Sequence, residues 1–364
     1  MIKKKIFIAT GGTGGHIFPA YSLAKSLIQK NYDVAIITDT RGFSYLKNFK
    51  FLNIIKINSS PIEKRNLFRY LTSIFTIIAS ILKSILLLVI NRPKVIFGMG
   101  GYSSFPLCIA AFVLRINFII YENNMVVGKA NKYLLPLTKK IFVSYKELEG
   151  IPKKYNKKIF EIGNLIREEI ITSNLISNRI DSYNELKILV LGGSQAAKVF
   201  AEQLPSIFQK LQDSGVSIKI IQQCQEHQRT QLSEFYRNAK IDYETFSFSD
   251  KIIEYYSKTN LVITRSGASV LGELINLKIP FIAIPLPTSA DNHQHKNAEF
   301  YEKKGYGYLL KEENIKEKLY DLIMSLTKDK SLIKRIISNQ RQYSDKNIFR
   351  NLNIKIEEII NEKN

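Results

Sequence analysis

The sequence predicts an α/β protein with two Rossmann-like doubly wound domains, each built on a parallel sheet. Three observations carry this. Short β-rich runs alternate with longer helical patterns along the chain, and the runs are continuously apolar, as strands covered on both faces are. Three of them lead into a glycine turn, the junction at which such folds start a helix. At 364 residues the chain is long enough for two cores of ordinary size.

In order, the first-half strands are expected at 5–9, 34–38, 53–57, 95–98, 118–121 and 141–144. The lysines of MIKKK ahead of the first strand resemble a signal peptide, but the apolar run at 6–9 is too short for one. A polar, poorly periodic stretch at 163–182 reads as the connection, and second-half strands are expected at 188–191, 217–221, 261–264 and 281–284. Beyond Lys311 the pattern is helical to the end. The domains are therefore placed at 1–163 and 164–340, with a C-terminal helical piece, 341–364, packing back on the first. Cys108 and Cys224 lie far apart and offer neither a metal spacing nor a disulfide framework, which suits a reducing, cytoplasmic setting.

Charge is unevenly placed. The chain carries 53 Lys and Arg against 32 Asp and Glu, a net +21. Residues 1–163 hold 25 basic and 7 acidic residues, a net +18, whereas 164–364 hold 28 and 25. A Lys-rich composition drift accounts for part of the excess, but drift enriches both halves equally. The rest points to an anionic surface met by the first half. Residues 71–90 are almost continuously apolar, and their interruptions, Thr72, Ser73, Thr76, Ser80, Lys83 and Ser84, gather into one stripe of a helix. A spanning helix would place strands of one sheet on opposite sides of a bilayer. A helix packed on the sheet, with surplus apolar surface for a membrane and Lys64, Arg65, Arg69, Arg92 and Lys94 beside it for anionic headgroups, fits better. Nucleic acid is not expected as a partner, because no module interleaves exposed aromatics with Lys and Arg.

The glycine turns are IFIATGGTGGH, VIFGMGGYSS and ILVLGGSQAA. Backbone N–H groups in such turns approach anions, and a following helix N-terminus adds about half a positive charge. Gly11, Gly12, Gly14 and Gly15 fit no register of the dinucleotide fingerprint, and no phosphate-binding loop of the ATP or GTP type is present. His16 closes the first turn near a helix N-terminus, where the field disfavours the imidazolium; this suits a general base, although for a lone His a partly buried cap is the commoner role. Farther on, TRSGASVLGE brings a strand end, a turn at Gly267 and a helix starting near Ala268, whose N–H groups suit a diphosphate. Glu273 stands nearly two turns on, placed for ribose hydroxyls, while Arg265 is open between ligand and structural ion-pair roles. His293 and Gln294 at a helix start suit sugar hydroxyls; His293 and His295, two apart on a helix, point away from each other and do not make a metal pair.

GGTGGH, GMGGYSS, YENN at 121–124, GN-x-x-R at 163–167, GGSQ, TRSGA and DNHQxxNA, in this order, resemble the MurG family of peptidoglycan glycosyltransferases over residues 5 to about 307. The resemblance implies a glycosyltransferase B fold with a cleft between the domains. It implies inverting, single-displacement transfer of N-acetylglucosamine from UDP-N-acetylglucosamine to lipid I, the undecaprenyl-pyrophosphate-linked muramyl-pentapeptide, giving lipid II. It also implies a peripheral enzyme on the cytoplasmic face of the bacterial inner membrane. Carried onto this chain, His16 matches the proposed base, with Glu122 the second choice; Gly14 and Gly15 match the loop facing the acceptor diphosphate, and Thr13 stands beside them. Asn124, Arg167, Ser194, Ser249, Arg265, Ala268, Glu273, His293 and Gln294 match substrate-binding positions, mostly for the donor. No metal and no other cofactor is expected. Ala196, Val270 and His293 depart from relatives that carry Gly, Thr and Gln there, and none of these removes a reactive group. A diacylglycerol glycosyltransferase and a UDP-N-acetylglucosamine 2-epimerase are the rival readings on the same fold.

Overall fold

The structure, a computed structural model, describes residues 3–12, 14–60, 66–173, 185–193, 198–247, 249 and 252–362. It forms two compact units, Met1–Arg167 with Lys346–Asn364, and Glu168–Asp345. The division thus falls four residues beyond the expected Gly163, and the returning C-terminal piece begins at Lys346.

The first unit runs β1 (Lys5–Ala9), α1 (Gly14–Gln29), β2 (Asp33–Thr38), α2 (Thr40–Leu46), β3 (Asn53–Lys56), α3 (Leu67–Asn91), β4 (Val95–Gly98), α4 (Phe105–Val113), β5 (Phe118–Glu122), α5 (Lys129–Leu134), β6 (Lys140–Val143) and, after a 3₁₀ turn at Lys153–Lys158, β7 (Ile159–Glu161). Its sheet is parallel, in the order β3-β2-β1-β4-β5-β6-β7. The second unit runs α6 (Glu168–Ile171), β8 (Leu186–Leu191), α7 (Lys198–Asp213), β9 (Ile218–Gln223), α8 (Glu226–Asn238), β10 (Asp242–Phe246), α9 (Ile252–Ser257), β11 (Leu261–Thr264), α10 (Ala268–Leu277), β12 (Phe281–Ala283), α11 (His293–Lys303), β13 (Tyr308–Leu309), α12 (Ile315–Lys328) and α13 (Lys330–Arg341). Its parallel sheet is ordered β10-β9-β8-β11-β12-β13. The final helix, α14 (Ile348–Asn361), buries Leu352, Ile356 and Ile359, packs against α1 and is tied by Lys139 to Glu362 at 3.1 Å.

Strand order reverses between β1 and β4 in one sheet and between β8 and β11 in the other. Loops leaving the carboxyl ends of strands at such a reversal splay apart and leave a crevice. All three glycine turns and the TRSGA segment leave these four strands.

α3 is built inside out. Its small polar stripe faces inward: Ser73, Ser80 and Ser84 are buried with Leu88, and each hydroxyl bonds back to the carbonyl four residues earlier at 2.7 Å. Those bonds satisfy the hydroxyls without water and let the helix lie close to its neighbour α4. The large side chains face out, Phe75 at 75% exposure, Leu82 at 61%, Leu86 at 62% and Ile90 at 71%. Length and composition alone would let α3 cross a membrane. Phe112 and Val113 at the end of α4 and Tyr133 on α5 are exposed too.

Candidate functional site

In the first unit the crevice is assembled from the loops after β1, β4 and β5. His16 stands in the first turn of α1, half-buried, and its backbone carbonyl accepts from Thr10 Oγ1 at 3.0 Å. Its ring lies against the second glycine turn. A Cβ on Gly100 would sit 2.9 Å from His16 Cε1, and Gly100 and Gly101 have φ of +89° and +74°, so only glycine leaves room for the imidazole there. The side chain of Asn123 donates to the Gly15 carbonyl at 2.9 Å, fastening the YENN loop to the start of α1.

Asp39, the N-cap of α2, joins the two glycine turns. It is 5% exposed and accepts from the Gly42 N–H at 2.8 Å, the Gly12 N–H at 3.2 Å and Ser103 Oγ at 2.8 Å. The Gly12 amide is therefore spent on a carboxylate of the protein. Burial pushes the neighbouring Tyr102 hydroxyl above its ordinary value, with Arg41 acting against the shift and Asp39 adding to it.

Glu122 ends β5 with its carboxylate buried at 2% exposure. Oε1 accepts from the N–H and the side-chain amide of Asn124 at 3.2 and 3.0 Å; Oε2 accepts from the Gly128 N–H and Asn131 Nδ2, both at 2.9 Å. Four donors make it the hub of its loop, with Asn124 among its holders. Gly163–Arg167 is gripped by the same strand: Tyr121 Oη donates to the Gly163 carbonyl at 3.1 Å and accepts from the Leu165 N–H at 3.0 Å. Arg167, expected at the donor site, belongs to this unit and lays its guanidinium over Phe18, 4.4 Å from the ring centre.

In the second unit Gly267 caps α10 and Ala268 begins it, with the Ser266 carbonyl held by Asn297 of α11 at 3.1 Å. Glu273, 5% exposed, accepts from Tyr256 Oη at 2.8 Å. Arg265 is a structural tie: it pairs with Glu312, donates to the carbonyls of Ile284 and Pro285 at 3.3 and 3.1 Å, and lies 4.7 Å from the Phe200 ring centre. The ion-pair partner left open in the sequence is Glu312. Asp291 and Asn292 both take left-handed backbone, φ 51° and 54°, turning the chain sharply into α11. There His293 Nδ1 lies 2.6 Å from the Ala290 carbonyl, and Gln294 Oε1 accepts from the Leu286 N–H at 2.9 Å. Ser249 is half-buried, and nearby in sequence Phe246 and Tyr255 stack at 4.2 Å. Thr13 and Ser194, with Ala196, lie outside the described residues.

The first unit thus brings together His16, Gly14, Gly15, Glu122, Asn124 and Arg167. The second carries Ser249, Arg265, Ala268, Glu273, His293 and Gln294. Sequence reasoning missed Ser103, Asn131 and Tyr256 as organising residues. Ser103 and Asn123 sit inside visible motifs, whereas nothing local marks Asn131 or Tyr256.

Residues 6–143 match the glycosyltransferase family 28 N-terminal domain, and 187–352 its C-terminal domain. The UDP-N-acetylglucosamine–N-acetylmuramyl-(pentapeptide) pyrophosphoryl-undecaprenol N-acetylglucosamine transferase of Pelagibacter ubique is 36% identical, covering 99% of this chain and 100% of its own. The enzyme of the same name from Rickettsia felis is 36% identical over 92% and 94%. Among solved structures, Acinetobacter baumannii MurG superposes with a TM-score of 0.77 at 23% identity, covering 98% and 99%. A UDP-N-acetylglucosamine 2-epimerase described as such from Listeria monocytogenes reaches 0.68 at 12%, covering 100% and 98%, a likeness of fold alone. With relatives this similar from end to end and both family 28 domains in place, the chain belongs to the MurG family of glycosyltransferases.

Proposed function

We propose that this enzyme transfers N-acetylglucosamine from UDP-N-acetylglucosamine to lipid I, making lipid II for peptidoglycan. The first unit takes the acceptor and the second the donor. A muramyl hydroxyl attacks the anomeric carbon and His16 receives its proton. The anomeric C–O bond breaks with its electrons going to UDP, so the sugar is transferred with inversion. The N-terminus of α10 faces the diphosphate and offsets the charge that grows on it; no resident metal is part of this reading. Glu273 receives ribose hydroxyls, and Gln294, held through Oε1, turns its amide nitrogen to the sugar.

The observation that carries this reading is the seat of His16: first turn of a helix, ring against the second glycine turn, within the acceptor-type unit. It favours His16 over Glu122 as base, since the Glu122 oxygens are already engaged by four donors. A peripheral seat on an anionic membrane surface, on the cytoplasmic face, is supported by the outward apolar side of α3 and the basic excess of the first half.

The test supplies purified enzyme with UDP-N-acetylglucosamine and either a lipid I analogue or diacylglycerol. Product is expected only with lipid I, and His16→Ala lowers kcat by roughly 10²–10⁴-fold, the usual range for a general base. Transfer to diacylglycerol would overturn the acceptor. Full activity of His16→Ala would move the base to Glu122.

A further inference from the structure

Glu273 is a buried carboxylate on the second turn of α10, and its torsion about the last side-chain bond is intrinsically soft. A ligand-binding carboxylate on such a bond needs a fixed partner to hold its plane. One such partner comes from a different element: Tyr256 of α9, 1% exposed, whose Oη donates to Oε2 at 2.8 Å. The phenol is enclosed, which limits how far the hydrogen bond can swing. It satisfies one oxygen of a group that is costly to bury unsatisfied.

We infer that Tyr256 is a positioning residue that aims the Glu273 carboxylate and thereby tightens selection for a donor with an intact ribose. This rests on the reading of Glu273 as the ribose ligand. Tyr256 does not touch the reacting atoms; it acts through Glu273. A site built around hydroxyl recognition discriminates strongly only while its acceptor is held in place. Loosening that acceptor erodes discrimination before it erodes chemistry.

The experiment compares UDP-N-acetylglucosamine with its 2′-deoxy- and 3′-deoxyribose analogues in the lipid I assay, for the wild type, Tyr256→Phe and Glu273→Gln. Tyr236→Phe serves as a control, since it removes another buried hydroxyl of the same unit, one that donates to Gln222 at 2.5 Å. Tyr256→Phe is expected to raise the donor KM roughly five- to twenty-fold, with kcat within about two-fold and a reduced preference for the intact ribose. Tyr236→Phe should leave that preference at the wild-type value. An unchanged preference in Tyr256→Phe, with loss in Glu273→Gln, overturns the role of Tyr256 and leaves the ribose reading standing. An unchanged preference in Glu273→Gln overturns both. A second measurement needs no variant: the ¹³Cζ resonance of Tyr256 in the intact enzyme should shift on adding uridine and stay in place with uracil. No shift with uridine overturns the inference even if the Phe variant fails to fold.

Discussion

Ser103 donates its hydroxyl to Oδ2 of Asp39 at 2.8 Å, closing the second glycine turn onto the residue that already holds the Gly12 N–H of the first. Gly11 lies beneath this bond, and a Cβ there would overlap the Ser103 side chain. The two turns are therefore one built object. Ser103→Ala leaves Asp39 with one donor fewer in a buried setting and is expected to cost about 1–2 kcal/mol in denaturant unfolding. It should also raise the acceptor KM while leaving the donor KM alone. Equal change in both constants would refute the assignment of this latch to the acceptor side.

Glu122 gives the sharpest test of stability against chemistry. Glu122→Gln replaces an acceptor oxygen by an NH₂ that must face donors, either Asn124 or the Gly128 N–H and Asn131 Nδ2. A loss of about 1–3 kcal/mol in unfolding free energy is expected, with kcat per folded molecule within about ten-fold of wild type. A collapse of kcat in a protein of wild-type stability would return the role of base to Glu122.

Arg265 and Glu312 form a largely enclosed pair, with side chains 9% and 25% exposed. Removing the cation alone strands the carboxylate and frees two carbonyls, so Arg265→Ala should destabilise the protein by roughly 3 kcal/mol. Glu312→Gln keeps a hydrogen-bond acceptor and should cost less. Urea unfolding of the two variants checks the order. If Arg265→Ala instead unfolds like wild type but loses UDP affinity, the guanidinium is a ligand.

These sites mark where sequence patterning informs and where it stops. The strands legible in advance are central and apolar on both faces, such as β1 and β4. The missed ones are β7, β10 and β13: IFE and YL are too short to show a pattern, and DYETF is too polar, as edge strands are. The glycine turns were legible because backbone geometry demands glycine. The partners of the site residues were not, because Arg265 meets Glu312 and Tyr256 meets Glu273 only once helices and strands pack. The stripe on α3 was visible, but its direction was not. Small serines at positions 73, 80 and 84 suit either a solvent face or a close helix contact, and the packing with α4 places them inside.

That reversed helix supplies the last prediction. Leu82 and Leu86 lie one turn apart on the exposed side of α3, with Phe75, Ile78 and Ile90 also facing outward. In water much of their apolar surface stays exposed and adds nothing to the fold. In the acyl boundary of a bilayer, each fully buried side chain of this kind is worth about 1.5–3 kcal/mol, and the basic excess of the first half adds attraction to anionic headgroups. Leu82→Glu with Leu86→Glu should therefore leave the unfolding transition within about 0.5 kcal/mol per substitution of wild type, the range for surface changes. Partition onto phosphatidylglycerol-containing vesicles should fall by at least roughly ten-fold, measured by cosedimentation. Turnover of a short-chain, water-soluble lipid I analogue should hold steady, while turnover of the full-length lipid embedded in vesicles drops. Wild-type binding to vesicles by the double variant would remove α3 as the docking element.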